Sequence, residues 1–369
     1  MGSPYRFGPP RASGAQQTMA TQRDSRVSEV LAHALEDHPQ PGRWLVVDDR
    51  PGLVVERLDG AGGVGEVQRW HRLALEGRAA TAAPPDGPFD GIVLRQPRGT
   101  VTLIMLTSLL GARLAPGGQL LVGGANDEGA RSMARHLSEL FGQVEVVATR
   151  RHCRVVAARR PRADLRGELE GWSLAVGAEV AGVSLSWRSW PPLFAHDRLD
   201  AGTKMLLESL PPLEGAVLDF ACGAGVVGQF LLRRGDPIEL TLSDVDPLAL
   251  HAAHHNVPGV PAQLADGLPP GGPWQHIVSN PPLHLGKDEH RGTLAALAAG
   301  APERLRRDGS LWLVVQGSTP VRRALQGAFT TVERVAHSPS YAVWRATGIP
   351  RARRRDRATG IPRARRRDR

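Results

Sequence analysis

Two distant stretches of the chain share one layout. APGGQLLVGGANDEGARSMARHLSELFGQVEVV, at 115–147, and RRDGSLWLVVQGSTPVRRALQGAFTTVERV, at 306–335, each run through a turn, an apolar strand, a small-residue loop, a helix and a closing strand. Upstream of each, apolar strands end on polar turns: WLVVDDRPG (44–52) and FDGIVLRQPR (89–98) in the first half, GAVLDFACGAG (215–225), IELTLSDVDP (238–247) and WQHIVSNPPL (274–283) in the second. Strands alternating with helices build a parallel, doubly wound sheet, and a repeated series builds it twice. The fold class expected is therefore α/β, with two tandem Rossmann-like domains made by duplication, joined near RPRADLRGELEG (160–171).

At 369 residues, 41% hydrophobic and 22% charged, the chain has the length and composition for two buried cores. It has neither an apolar run of membrane-spanning length nor the apolar stretch of a signal peptide near its start, and its two cysteines, Cys153 and Cys222, make no disulfide framework. A soluble cytoplasmic protein is expected. The net charge of +9 is local: RATGIPRARRRD at 345–356 recurs unchanged at 357–368, and residues 345–369 hold 11 Arg against 2 Asp. The other 35 basic and 35 acidic residues cancel. Such a Pro/Arg-rich repeat cannot form a core, so it reads as a disordered basic tail, either attracting RNA phosphates or a duplication without a role. The domains expected are a flexible tail (1–25), an N-terminal domain (26–160), a second domain (161–346) and the basic tail (347–369).

Gly223-Ala224-Gly225-Val226-Val227-Gly228 fits G-x-G-x-x-G after a strand, and Asp244 ends the next strand. By themselves these features suit a dinucleotide. Asp219, ending the first strand, argues against it: a pyrophosphate at the helix N-terminus would meet a carboxylate. A ligand carrying an ammonium and a sulfonium, such as S-adenosylmethionine, is better matched.

Together D-x-x-C-G-x-G from Asp219, the acids Asp244 and Asp266, and S-N-P-P-L-H (279–284) resemble the class I methyltransferases that modify exocyclic amines. LFAHDRLDAGTKMLLESLP (193–211), LDFACGAGVVG, LSDVDPLAL and SNPPLH stand in the order seen in the bacterial ribosomal RNA guanine-N2 methyltransferases, over roughly residues 26 to 346. The resemblance implies a duplicated methyltransferase fold with a degenerate N-terminal copy, S-adenosylmethionine as cofactor, and rRNA as substrate, that of the small subunit first. A monomer without a metal is expected. Gly223 and Gly225 would pass under the methionine portion with Cys222 beside them, Asp219 near its amino group, Asp244 and Val245 at the ribose, and Asp266 at the adenine amine. Gly202 and Thr203, with Asp200, would close over the cofactor. Each acid has an alternative as a turn or cap residue, Asp246 competes with Asp244, and Thr203 reads equally as a helix N-cap.

The guanine N2 lone pair is delocalised into the ring, so N2 is a poor nucleophile until its hydrogens are held. Asn280, through its side-chain oxygen, and the Pro281 carbonyl would accept them, and Pro282 would keep both rigid. Relatives commonly place Phe or Tyr next; here Leu283 keeps the apolar contact but loses a stacking contribution of roughly 1 to 3 kcal/mol per base. His284 is the alternative stacking face. Other readings are a methyltransferase acting on a 23S guanine, another base or a glutamine amide, a dehydrogenase, and a non-catalytic RNA-binding module.

Aligning the first half on the second places Asp48 opposite Asp219, Gly52 opposite Gly223 and Val54 where Gly225 should be. Arg95 stands at the place of Asn280 and Gln96 at that of Pro281. A β-branched side chain would fill the cofactor space and an arginine has no acceptor to offer. The N-terminal copy should thus be catalytically dead and serve RNA docking or support of the second half, with Arg95, Arg98, Arg150 and Arg151 as candidate phosphate contacts.

Overall fold

The computed structural model describes residues 22–36, 41–61, 64–281 and 287–350. The N-terminal half runs α1 (Gln22–Ala34), β1 (Gly42–Val47), α2 (Leu53–Asp59), β2 (Val64–Trp70), β3 (Phe89–Arg95), α3 (Thr100–Gly111), β4 (Leu114–Ala125), α4 (Ala130–Ser138), β5 (Phe141–Arg150) and β6 (Cys153–Pro161). A hairpin, β7 (Leu174–Val180) and β8 (Val183–Ser189), follows. The second half runs α5 (Ala201–Ser209), β9 (Gly215–Phe220), α6 (Val226–Arg234), β10 (Ile238–Asp244), α7 (Pro247–Asn256), β11 (Ala262–Leu264) and β12 (Trp274–Ser279), then α8 (Lys287–Arg304), β13 (Leu305–Gln316), α9 (Val321–Leu325), β14 (Thr331–His337) and β15 (Tyr341–Thr347).

The two sheets have one topology. The first is ordered β2-β1-β3-β4-β6-β5, and the second, β11-β10-β9-β12-β13-β15-β14, repeats it with β11 added at one edge. Pairing is parallel up to β4 and β13, and each sheet then closes with an antiparallel pair, so neither is parallel throughout. Helices cover both faces, which is why the central strands are continuous apolar runs: Trp44 to Val47, Val217-Leu218 and Leu311 to Val315 are all buried.

Several elements differ from the sequence expectation. Helix α1 begins at Gln22, inside the stretch read as a tail. Helix α3, TVTLIMLTSLLG, shows no amphipathic period because it is apolar nearly all round and buried accordingly. The β7–β8 hairpin lays Val176, Val180, Leu185 and Trp187 inward and joins the halves, because these residues share one core with Leu106 and Leu110 of α3 and Leu206 of α5. Trp190, fully buried, donates its indole N–H to the Leu169 carbonyl at 3.0 Å. The second domain also extends past residue 346: β15 includes Thr347, the Gly348 carbonyl accepts the Thr330 N–H at 2.7 Å, and Ile349 packs on the core. Among the described residues no helix is long and apolar enough to cross a membrane. The basic repeat lies outside the described residues from 351 onward.

Candidate active site

In the second half the C-terminal ends of β9, β10, β11 and β12 converge, at the edge where open α/β sheets hold their ligands. A surface cavity of about 670 Å³ at the opposite strand ends, beside Ala216, Ile238 and Trp274, contains none of the site groups.

After β9 the chain turns sharply through Ala221 (φ 57°), Gly223 (φ 54°) and Gly225 (φ 78°) into α6. The Gly225 N–H closes the turn on the Cys222 carbonyl at 2.8 Å, and the Cys222 N–H reaches the Ser243 carbonyl at 3.0 Å. A Cβ on Gly225 would press on Ala253 and Val257 of the α7 region, whereas one on Gly223 would stand in open space. Gly223 therefore presents bare backbone to the crevice. Cys222 is buried, and that burial holds its thiol well above the usual range, so it packs the loop as an inert thiol.

Asp219 is 1% exposed and accepts one hydrogen bond, from the Gly228 N–H at 3.2 Å. Burial, and secondarily the neighbouring Asp244, push it up to about 7 against that bond. Asp244 accepts from the Gly223 N–H and the Asp246 N–H, both at 2.9 Å, and burial followed by the charge of Asp246 pushes it up to about 6. Among the described residues neither Asp219 nor Asp244 is ion-paired. A buried and a half-buried carboxylate without a counter-cation suit a ligand that brings positive charge and donors, and reject a pyrophosphate. Asp246 is occupied otherwise: Oδ1 caps α7 through the Leu248 N–H at 3.0 Å and Oδ2 holds Arg72 of the N-terminal half. Asp244, by contrast, holds neither a cation nor a helix cap among the described residues. Asp266 follows β11 at the same edge, where the Ala265 N–H joins the Asp244 carbonyl at 3.0 Å. Its Oδ2 accepts the Glu76 N–H at 2.9 Å, and the Val245 carbonyl accepts the Ala74 N–H at 3.0 Å.

Asn280 stands at the end of β12, which the buried Ser279 ties to β9 through a 2.6 Å bond to the Phe220 carbonyl. The Asn280 side-chain NH₂ donates to the Thr203 hydroxyl at 2.8 Å and to Asp200 Oδ2 at 3.3 Å. With both donors used on α5 and its capping residue, the amide oxygen is left as the acceptor. Asp200 also caps α5 by accepting the Thr203 N–H at 2.9 Å, so the cap is Asp200 and not Thr203. The Tyr341 hydroxyl donates to Asp200 Oδ1 at 3.3 Å. Gly202 is required by close approach: a Cβ would lie 2.8 Å from the Tyr341 ring and 2.9 Å from the Asp200 carboxylate. Asp200, singled out in sequence only as part of a cofactor-closing segment, and Tyr341, not singled out at all, thus fix the orientation of Asn280. Pro281 is buried, while Pro282, Leu283 and His284 lie outside the described residues.

The first half carries the same scaffold with different residues, and the ladder registers correct the alignment made from sequence. Trp44 pairs with Gly91 and Val67, whereas Val217 pairs with His276 and Leu240. Trp44 therefore matches Val217, which brings Val46 opposite Asp219, Asp48 opposite Ala221 and His71 opposite Asp244. Gly52 matches Gly225, both being left-handed residues that precede a helix, at φ 83° and 78°. Val54 is a buried residue of α2 and obstructs no turn. What the first half lacks is the acids, replaced by Val46 and His71, and the amide, replaced by Arg95. Arg95 is engaged by Asp24 of α1 at 3.0 Å and Glu128 at 2.6 Å, and Arg151 by Glu29. Arg98 and Arg150 remain exposed.

The chain matches the family model described as "Methyltransferase small domain" over residues 185–345 and the one described as "Methyltransferase small domain N-terminal" over 68–173. It is 31% identical over 262 residues to ribosomal RNA small subunit methyltransferase C of Alteromonas mediterranea, covering 69% of this chain and 72% of the relative. The protein of the same name from Pseudoalteromonas atlantica is 29% identical over 342 residues, 87% of this chain and 98% of the relative. A solved T. thermophilus 16S rRNA N2 methyltransferase, RsmC, in complex with AdoMet and guanosine, superposes with a TM-score of 0.74 at 22% identity, over 91% of this chain and 94% of that one. It shares the fold.

Proposed function

The chain belongs to the ribosomal RNA small subunit methyltransferase C family, and from that membership we propose that it methylates the exocyclic N2 of a guanosine in 16S rRNA with S-adenosylmethionine as donor. The observation that carries the reading is the Asn280 amide held by Thr203 and Asp200. An amide whose NH₂ is committed to the protein offers its oxygen to a donor, and an exocyclic amine is such a donor; a phosphate or carboxylate is not.

The site residues fit the cofactor. Asp219, buried and without a cation, would take its ammonium. The bare backbone at Gly223 leaves room for the methionine portion, Asp244 would receive ribose hydroxyls, and Asp266 the adenine amine. When bound, the cofactor would supply an electrophilic methyl on a sulfonium and depart as a neutral thioether, with N2 gaining the carbon and losing one proton. Asn280, with the Pro281 carbonyl beside it, holds the two N2 hydrogens so that the nitrogen pyramidalises and its lone pair is withdrawn from conjugation with the ring. Because the Tyr341–Asp200–Thr203 network is formed before substrate arrives, this orientation requires little reorganisation.

RNA is met outside the first half's former ligand site, with exposed Arg98 and Arg150 as phosphate contacts and the basic repeat adding unspecific attraction. The reading is tested by incubating the protein with labelled S-adenosylmethionine and 16S rRNA, naked or as assembled 30S subunits, then digesting the RNA to nucleosides. Label in N2-methylguanosine is expected; label in another nucleoside, or in 23S rRNA alone, overturns it.

A further inference from the structure

The turn after β2 leaves the first half and crosses to the edge of the second half's site. It makes three polar contacts there. Arg72 pairs with Asp246, the Ala74 N–H donates to the Val245 carbonyl at 3.0 Å, and the Glu76 N–H donates to Asp266 Oδ2 at 2.9 Å. All three acceptors lie on the shelf formed where β10 and β11 end. The segment is itself anchored from behind, because Asp48 Oδ1 accepts the Arg72 N–H at 3.2 Å. Burial works against ionisation of Asp48, yet the His71 side chain and then Arg72 outweigh it and hold the carboxyl below its usual range. Asp48 is thus a fixed charge organising a loop.

We propose that segment 71–77 of the N-terminal half is a positioning element of the cofactor site in the C-terminal half, holding Asp266 so that the site selects the adenine amino group. This deepens the reading above and rests on the assignment of Asp266 to that amine. A carboxylate at a strand end swings freely unless one oxygen is fixed. The Glu76 N–H fixes Oδ2 and leaves Oδ1 to accept from the adenine amine, as Thr203 and Asp200 fix one end of Asn280. Arg72 neutralises Asp246 two residues beyond Asp244, so the shelf does not carry three uncompensated acids. The N-terminal half has kept its strand ends and turned one of them into part of its neighbour's pocket.

The distinguishing measurement compares S-adenosylhomocysteine with S-inosylhomocysteine, in which the amine is replaced by a carbonyl oxygen that Asp266 would repel. Titration calorimetry on the full chain should give the adenosyl ligand a preference of roughly tenfold or more, as for a hydrogen bond to a charged group. Two variants loosen the segment differently. R72A removes the ion pair; A74P removes one N–H at a residue whose φ of −80° proline can adopt. Both should shrink the preference to within about threefold by weakening the adenosyl ligand alone. A contact that only glues the halves together would lower the melting temperature and move both ligands equally or neither, and wild-type preference in A74P overturns the proposal even if R72A fails to fold. D266A separates the two levels of the argument. If it keeps the preference, the assignment of Asp266 is wrong; if it loses the preference while A74P and R72A keep it, only the role of the segment is.

Discussion

Replacing Asp219 by asparagine should make the unliganded protein more stable and the enzyme worse. The carboxylate is 1% exposed, receives a single N–H at 3.2 Å and is pushed up to about 7 from an ordinary 3.8. At about 1.4 kcal/mol per pKa unit, its ionised form costs on the order of 4 kcal/mol in the unliganded fold. The folded state keeps a proton that the unfolded chain has already shed, so this group's contribution falls as pH rises from about 4 to about 7 and stays low above that. Asp244, pushed up to about 6, adds a slope of the same sign, so D219N should flatten the pH dependence of stability without abolishing it. At pH 8 the variant should melt several degrees higher than wild type. Its affinity for S-adenosylhomocysteine should fall tenfold or more, because a neutral amide cannot pair with the ammonium. Scanning fluorimetry from pH 5 to 8 on ligand-free protein, with calorimetric titration of the same preparations, reads both effects. A variant that melts lower than wild type at pH 8, or binds the ligand unchanged, would refute the argument that the buried charge is kept for the cofactor.

Asn280→Ala should leave S-adenosylhomocysteine affinity nearly normal and lower the single-turnover methylation rate by orders of magnitude, since the lost acceptor acts on the nucleophile as its lone pair reorients; full single-turnover rate in a stably folded variant removes Asn280 from the mechanism. Deleting residues 351–369, which spares β15, Gly348 and Ile349, should preserve turnover at saturating RNA and at most weaken RNA affinity in a salt-dependent way; complete loss of activity at every RNA concentration counts against an accessory tail.

What could be read in advance was what the chain keeps local. The turn glycines, Asp219, Asp244 and Asn280 each sit at the end of an apolar run, and strand ends are visible in sequence. What orients Asn280 was not legible, because its partners arrive from far away: Asp200, visible only as part of a cofactor-closing segment, lies 80 residues before Asn280, and Tyr341 lies 141 residues after Asp200. Helix α3 was hidden by its own burial, since a helix apolar on nearly every face gives no period. The misplaced alignment of the first half has a similar origin. Asp48 follows an apolar strand as an acid should, and only the pairing of Trp44 with Gly91 shows that it stands two residues beyond the position of Asp219.

Arg95, where the second half has Asn280, ends in the carboxylates of Asp24 and Glu128. Both belong to the same polypeptide, so they compete with any diffusible anion as tethered ligands, present at an effective concentration of about millimolar or more. A phosphate of the RNA would have to displace two charges that never leave. The first half in this sense carries its own bound anions at the place of Asn280, and Arg95 is a saturated receptor. Replacing Arg95 alone would not remove Asp24 from this position, because α1, which brings it, is packed onto β4 and β6 by Val27, Val30 and Leu31.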